Sequence, residues 1–172
     1  MTVFLVERFY GSLVADKSND YLTVFGIGPF IYDNYVAVED SRFYHTFPLY
    51  VKGEKMLFKR VKTKELFAFL IDRKGAGMTA KEICAVLFPD DTDDTKNSAY
   101  LRQLVLDLKN TLKAVGAESV LRHETPCYRV DTNLLKCDYY RYLETGKPEF
   151  LGEYMTQFSW AEETCGNLQF KK

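Results

Sequence analysis

Between residues 94 and 116, apolar side chains recur every three or four positions along the chain. This spacing places them on one stripe of an α-helix, with polar side chains on the opposite face. Gly116 follows the last of them, where a left-handed residue would end the helix. The pattern predicts a long amphipathic helix with one side for a core and the other for water or a partner. The stripe consists of Leu101, Leu104, Val105, Leu108, Leu112 and Val115.

Taken alone, this stretch is explained by a solvated surface helix. Only the elements predicted on either side of it indicate a further role. Residues 63–74 carry another apolar pattern of helical period, which Gly75 ends. Thr79 precedes Glu82 by three residues, the spacing of a capping box that opens a second helix. That helix stops before Pro89, because the residue preceding a proline is disfavoured in the α conformation.

Runs of β-favouring residues broken by turn residues flank these helices on both sides. A glycine between two such runs predicts a β-hairpin over residues 43–59, with its turn at 52–54. A second hairpin is predicted over residues 120–131, with a polar tip at 124–126. Short strands are also expected in the first 47 residues, at Phe4–Val6, Leu22–Ile27 and Tyr35–Val38.

Two further helices are predicted in residues 137–168, after the second hairpin. Asp138 can cap the first of them, and Gly146 ends it. Ser159 and Glu162 have the spacing of a capping box, which would open the other. These helices form a short C-terminal extension.

Hairpin, helix, helix, acidic loop, long helix and hairpin is the order of a winged helix-turn-helix. An α-helix fits the major groove of DNA, and a neighbouring hairpin reaches a flanking groove or the backbone. The predicted class is α+β, with three helices, N-terminal β-strands, a C-terminal β-hairpin wing and the helical extension. The predicted domains are a β-rich N-terminal extension (1–42), the winged helix (43–132) and a helical tail (133–172).

Three segments carry a more specific resemblance: FKRVKTKELFAFLIDRKGAGMTAKEICAVLFPDD (58–91), YLRQLVLDLKNTLKAVGA (100–117) and CYRVD (127–131). Residues 48–131 resemble the OmpR/PhoB-type effector domain of bacterial response regulators, and more closely the variant found in SARP-like regulators. The tail segments CDYYRYLETG (137–146) and GEYMTQFSWAEE (152–163) are similar to the opening of the bacterial transcriptional-activation domain that follows in those proteins. The resemblance implies a sequence-specific DNA-binding regulator of bacterial transcription, of the two-component response-regulator type.

The chain has 172 residues, of which 47% are hydrophobic and 27% charged, a balance typical of a globular protein. The formal net charge of -1 provides no overall attraction to nucleic acid, so DNA binding must depend on a local basic face. No apolar run is long enough to span a bilayer, and the first residues make a poor signal peptide. We therefore expect a cytoplasmic protein without a membrane partner.

Four cysteines and two histidines are present, but no CxxC pair occurs and His45 lies far from His123 in sequence. Such spacing argues against a zinc site, and reduced thiols are expected in the absence of a secretion signal. No cofactor motif and no local signature of a Cys/His nucleophile pair is found. We predict no metal, no cofactor and no catalysis.

The resemblance implies which side chains face DNA. Arginine and lysine pair with guanine or with phosphate, and glutamine or asparagine with adenine. The long helix also carries Leu106 and Asp107 on its outward face, where basic or polar residues are common in the family. The predicted contacts are Asn97, Tyr100, Arg102, Gln103, Lys109 and Lys113 on the helix, and Arg122, His123, Thr125 and Arg129 on the wing.

Other partners follow from the same resemblance. The acidic loop 89–95 corresponds to the loop that touches RNA polymerase in the family, although a solvated linker that caps the next helix explains its aspartates equally well. A homodimer would match the usual route to specificity in helix-turn-helix proteins. The alternative function is a protein–protein interaction module on a winged-helix scaffold with little or no DNA binding, which the neutral net charge and Asp107 favour.

Overall fold

The computed structural model describes five short strands before residue 56, and then residues 56–146, 150 and 152–170. The chain forms two compact units. The central unit is Leu57–Leu135, and the flanking unit combines Met1–Met56 with Lys136–Lys172. The predicted strand Phe4–Val6 lies outside the described residues.

In chain order, the strands are β1 Leu22–Val24, β2 Ile31–Tyr32, β3 Tyr35–Val36, β4 Leu49–Val51, β5 Glu54–Lys55, β6 Met78–Thr79, β7 Leu121–Glu124, β8 Cys127–Val130 and β9 Leu135–Cys137. The helices are α1 Val61–Asp72, α2 Ala80–Leu87, α3 Asp94–Ala114, α4 Asp138–Thr145 and α5 Ala161–Gln169. Among the described residues, 3₁₀ turns occur at Glu118–Val120 and Thr132–Leu134. Helices thus combine with small antiparallel sheets, which confirms the predicted mixed class.

The core of the central unit lies where the apolar sides of α1, α2 and α3 meet. Fully burying one side chain of this size stabilises the fold by about 1.5–3 kcal/mol, so the shared core fixes which side of α3 faces outward. The buried side chains include Leu66, Phe67, Leu70 and Ile71 of α1, Ile83 and Leu87 of α2, and Leu101, Leu104, Leu108 and Leu112 of α3.

Capping residues set the helix ends in the central unit. The Glu82 N–H donates to Thr79 Oγ1 at 3.3 Å and the Thr79 N–H donates to Glu82 Oε2 at 2.8 Å, which confirms the predicted capping box. Asp93 caps α3 by accepting the N–H of Lys96 at 2.9 Å. Gly116 has a φ of 70°, the left-handed conformation predicted at the end of this helix.

A small antiparallel sheet of order β6-β8-β7 completes the central unit. Its hairpin, β7–β8, pairs Arg122 with Arg129 and is the second hairpin that the sequence predicts. The sequence pattern does not predict β6, in which Met78 pairs with Tyr128. Two residues are too few to show a strand period, and only the tertiary fold brings them beside β8.

The flanking unit has a four-stranded sheet of order β5-β4-β1-β9. Strands β4 and β5 pair antiparallel with Val51 opposite Glu54, as the predicted hairpin requires, whereas residues 52 and 53 of its predicted turn lie outside the described residues. The predicted extension of that hairpin to residue 59 is wrong, because residues 56–59 form no strand. This hairpin belongs to the flanking unit, and the domain boundary at residue 43 stays a prediction.

Two helices follow β9 in the flanking unit, as the sequence predicts. Gly146 ends α4 with a φ of 70°. The predicted capping box at Ser159 is wrong, since the residue before α5 is Trp160 and it makes no side-chain cap hydrogen bond. Asp138 is the first residue of α4 rather than the residue before it, and its side chain accepts the Tyr139 N–H at 2.7 Å.

Candidate nucleic-acid interface

The side of α3 that faces away from the core is exposed and basic. Between Tyr100 and Ala114 the helix contains a single acidic residue, Asp107, and that residue points elsewhere. The exposed face therefore carries positive charge without an acid among it. The exposed side chains are Arg102, Gln103, Leu106, Lys109, Asn110 and Lys113.

Asp107 turns toward α1, which corrects its predicted place on the outward face. The Thr63 hydroxyl donates to Asp107 Oδ2 at 2.9 Å, and Arg60 Nη1 lies 3.7 Å from the same oxygen. Thr63 is fully buried and the side chain of Asp107 is only 15% exposed. The carboxylate thus links α3 to α1, and its negative charge does not lie on the exposed basic face.

Asn97 is a buried structural residue, which removes it from the predicted DNA contacts. It is 4% exposed, and its side-chain amide donates to the backbone carbonyl of Asp91 at 2.8 Å. Because it is buried and donates this hydrogen bond, Asn97 positions the loop before α3 and does not present its amide to a base. The helical spacing could have predicted that residue 97 is buried, because the position lies on the same side of α3 as Leu101 and Leu104.

The acidic loop is ordered by hydrogen bonds around Asp91. Its carboxylate accepts from Lys96 Nζ at 2.7 Å and from the backbone N–H of Asp93 at 3.0 Å. The lysine ammonium holds the pKa of Asp91 below its usual value. The loop is shorter than the predicted 89–95, since α3 begins at Asp94. Arg102 lies eight residues beyond Asp94, which is about 12 Å along the helix. Salt largely screens exposed charges at this separation, so the carboxylates of the loop have little effect on Arg102.

Tyr100 stands at the edge of the basic face. Its side chain is 40% exposed, and its ring centroid lies 5.5 Å from that of Phe88 in a tilted arrangement. The Lys62 ammonium lies 5.6 Å from the centroid of the Phe88 ring. Packing against Phe88 fixes the tyrosine ring while leaving its exposed part available to a partner.

The hairpin carries its two arginines directly opposite one another. Like charges in that arrangement repel, and a carboxylate at a diagonal position compensates each of them. Arg122 Nη2 lies 3.2 Å from Asp131 Oδ2, and Arg129 Nη2 lies 2.6 Å from Glu124 Oε1. The hydrogen bond from Arg129 lowers the pKa of Glu124, and that from Arg122 lowers the pKa of Asp131.

The other face of the hairpin carries a stacked pair of rings. His123 lies opposite Tyr128 in the register, with ring centroids 4.4 Å apart and planes at 6°. The turn between the strands is Thr125–Pro126, joined by a cis peptide bond, and Thr125 is exposed. Three of the predicted wing contacts therefore interact within the hairpin, and each retains an exposed surface.

Taken together, nine of the ten predicted contact residues lie on the exposed face of α3, at its edge or on the hairpin. Asn97 does not join them. Asn110 and Leu106 share the helix face without having been predicted as contacts, and the spacing of seven residues from Gln103 to Asn110 is the signal that places both amides on one side.

The histidines, cysteines and carboxylates in the described part of the chain do not form a metal-binding cluster. No group of three histidine, cysteine or carboxylate side chains there is arranged to hold a metal ion. All four cysteines are free, and burial raises the pKa of the Cys137 thiol well above its usual value. None of the described helices combines the length and the apolar character needed to cross a bilayer.

The fold is similar to that of Mycobacterium tuberculosis EmbR, whose structure was solved in complex with a low affinity phosphopeptide. The match has a TM-score of 0.60 at 16% sequence identity and covers 86% of this chain. It covers 41% of the EmbR chain, so this chain spans about two fifths of the length of that structure. At such an identity the likeness bears on the fold alone. No family model matches the sequence, and no curated protein does.

Proposed function

We propose that this chain is a sequence-specific DNA-binding transcription regulator, with α3 in the major groove and the β7–β8 hairpin as the wing. The observation that carries the proposal is the outward face of α3, where Arg102, Lys109 and Lys113 are exposed and the helix's one nearby acid is turned inward. The likeness in fold to EmbR, a SARP-family transcriptional regulator, is consistent with this function.

The hairpin adds a second basic element. Arginine has five N–H donors, and one carboxylate partner leaves several of them open to a phosphate or a base. Arg122 and Arg129 remain 45% and 34% exposed at their side chains. In this proposal His123 and Thr125 approach the DNA backbone near the turn, and Tyr100 does so beside α3.

We propose the domain organisation and the partners of the chain on the same grounds. The winged-helix domain spans residues 43–132, with strands β4 and β5 as the N-terminal strands that the OmpR/PhoB-type resemblance implies. Residues 1–42 are an N-terminal extension, and residues 133–172 form the start of an activation domain of the SARP-like, bacterial kind. RNA polymerase is the partner proposed for the acidic loop, and a homodimer is the proposed form on DNA.

Binding of the full chain to fluorescent duplex DNA tests this function. Arg102→Ala and Arg129→Ala are each expected to weaken binding, because losing an arginine contact to a base or a phosphate costs about 1–3 kcal/mol. Arg141→Ala is the matched control, since it removes an exposed arginine from α4 in the flanking unit. Absence of binding at low salt, or an equal loss in all three variants, would refute the DNA interface.

The alternative function is a protein–protein interaction module on the same scaffold. The observation that favours it is Leu106, which is 52% exposed on the outward face of α3. A chain that binds no DNA and loses a protein partner on Leu106→Ser would support this alternative.

A further inference from the structure

Which bases the exposed face of α3 contacts depends on the side chains around Leu106, and this assignment rests on the proposed function. Leu106 lies near the middle of that face, on the side of the helix opposite the buried Leu101, Leu104 and Leu108. A single exposed leucine is common on protein surfaces and needs no explanation by itself. The polar side chains around Leu106 are what indicate a specific partner.

Two side-chain amides flank Leu106 along the helix. Gln103 precedes it by three residues and Asn110 follows it by four, so all three share one face. Both amides are exposed, and neither has a hydrogen-bond partner among the residues that the structure describes. Beside them stand the cations of Arg102 and Lys109, also exposed. The apolar contact area is therefore one side chain wide, which is smaller than the apolar core of a typical protein–protein interface.

The chemistry of base edges matches this row of side chains. In the major groove, glutamine and asparagine form paired hydrogen bonds with adenine, and the C5-methyl of thymine is the apolar group that a base presents there. The row from Gln103 to Asn110 spans about 10 Å of helix axis, which corresponds to about three base pairs at about 3.4 Å each.

We propose that the face formed by Gln103, Leu106 and Asn110 reads an A·T-rich core of about three base pairs, with Leu106 packed on a thymine C5-methyl. Arg102, Lys109 and Lys113 flank this core and bind phosphates or neighbouring guanines. The class of ligand is duplex DNA that presents adenine amino groups and thymine methyl groups to one stretch of major groove.

The test begins with selection of duplexes from a random pool by the full chain. An A·T-rich core is expected in the selected sequences. Single thymines in that core are then replaced by deoxyuridine, which removes only the C5-methyl. Loss of one buried methyl contact is expected to weaken binding of the unsubstituted protein about fourfold at one of these positions. In Leu106→Ala the same replacement is expected to have no further effect.

Leu57→Ala is the matched control, because it truncates a leucine that is 79% exposed outside α3. This variant should retain the full response to deoxyuridine. Both leucines are exposed, so neither substitution should prevent folding, and circular dichroism verifies this. A selected core rich in G·C, an unsubstituted protein indifferent to every deoxyuridine, or a response that persists in Leu106→Ala would overturn the inference. Duplex binding without these signatures would overturn the A·T assignment alone, whereas absence of all duplex binding would overturn the proposed function with it.

Discussion

Removing the carboxylate of Asp107 is expected to destabilise the central unit. The residue accepts a hydrogen bond of 2.9 Å from Thr63, whose side chain is fully buried between α1 and α3. Asp107→Ala would leave that hydroxyl buried without its acceptor, which costs about 1–3 kcal/mol. The half-exposed Arg60 at 3.7 Å adds little, since such pairs contribute about 0–1 kcal/mol. We therefore expect the free energy of unfolding of the central unit to fall by about 2 kcal/mol.

A double-mutant cycle with Thr63→Val isolates the hydrogen bond. Replacing both partners by apolar side chains is far less costly than removing one of them, because no buried polar group is then left unpaired. The two substitutions should therefore be coupled by about 1–2 kcal/mol. Asp107→Asn, which keeps an oxygen acceptor for Thr63, should be milder than Asp107→Ala.

Native-state hydrogen exchange of the α3 backbone amides measures the free energy of opening within the central unit, whatever the stability of the flanking unit. Asp90→Ala is the control, because it removes an exposed carboxylate from the loop before α3. If Asp107→Ala exchanges no faster than this control, or if the cycle shows no coupling with Thr63, the inward orientation of Asp107 is refuted.

Three further predictions concern the hairpin and the loop. Glu124→Gln should raise the affinity for duplex DNA and steepen its dependence on salt, because it releases Arg129 to a phosphate. Titrations at several salt concentrations measure both quantities, with Glu118→Gln as the control. An unchanged affinity in Glu124→Gln would contradict this prediction. The hydrogen bond from Arg129 holds the pKa of Glu124 below its usual value, so the ion pair is present at neutral pH and is lost as the pH falls through the lowered value; Arg129→Ala should raise that pKa in a carboxyl-carbon NMR titration. Asn97→Ala should lower the free energy of unfolding by about 1 kcal/mol, measured by urea denaturation, by removing the hydrogen bond to the Asp91 carbonyl.

Local patterns in the sequence were sufficient for the helices and the hairpin of the central unit. The three-and-four spacing identified α3, and Thr79 with Glu82 marked the start of α2, because both signals depend on residues that lie close together in the chain. The strands β6 and β9 escaped prediction, since two or three residues carry no recognisable period. Each is defined by a partner strand that is distant in sequence.

Two of the site predictions depended on tertiary contacts. Asp107 lies at the border of the apolar stripe, and only the packing of α1 against α3 shows that Thr63 attracts it inward. Asn97 has a polar side chain on the buried side of the helix, where its backbone partner in the loop satisfies it. Sequence periodicity gives the direction of a side chain, but not the distant group that completes its hydrogen bonds.

The contact of α3 and the hairpin with DNA is tested most directly by NMR titration of the full, isotope-labelled chain with a short duplex. Backbone amide shifts are expected to change along the exposed face of residues 102–113 and along the hairpin at 122–129, at the same DNA concentrations. Shift changes confined to α4 and α5, or no change at low salt, would contradict the proposed interface.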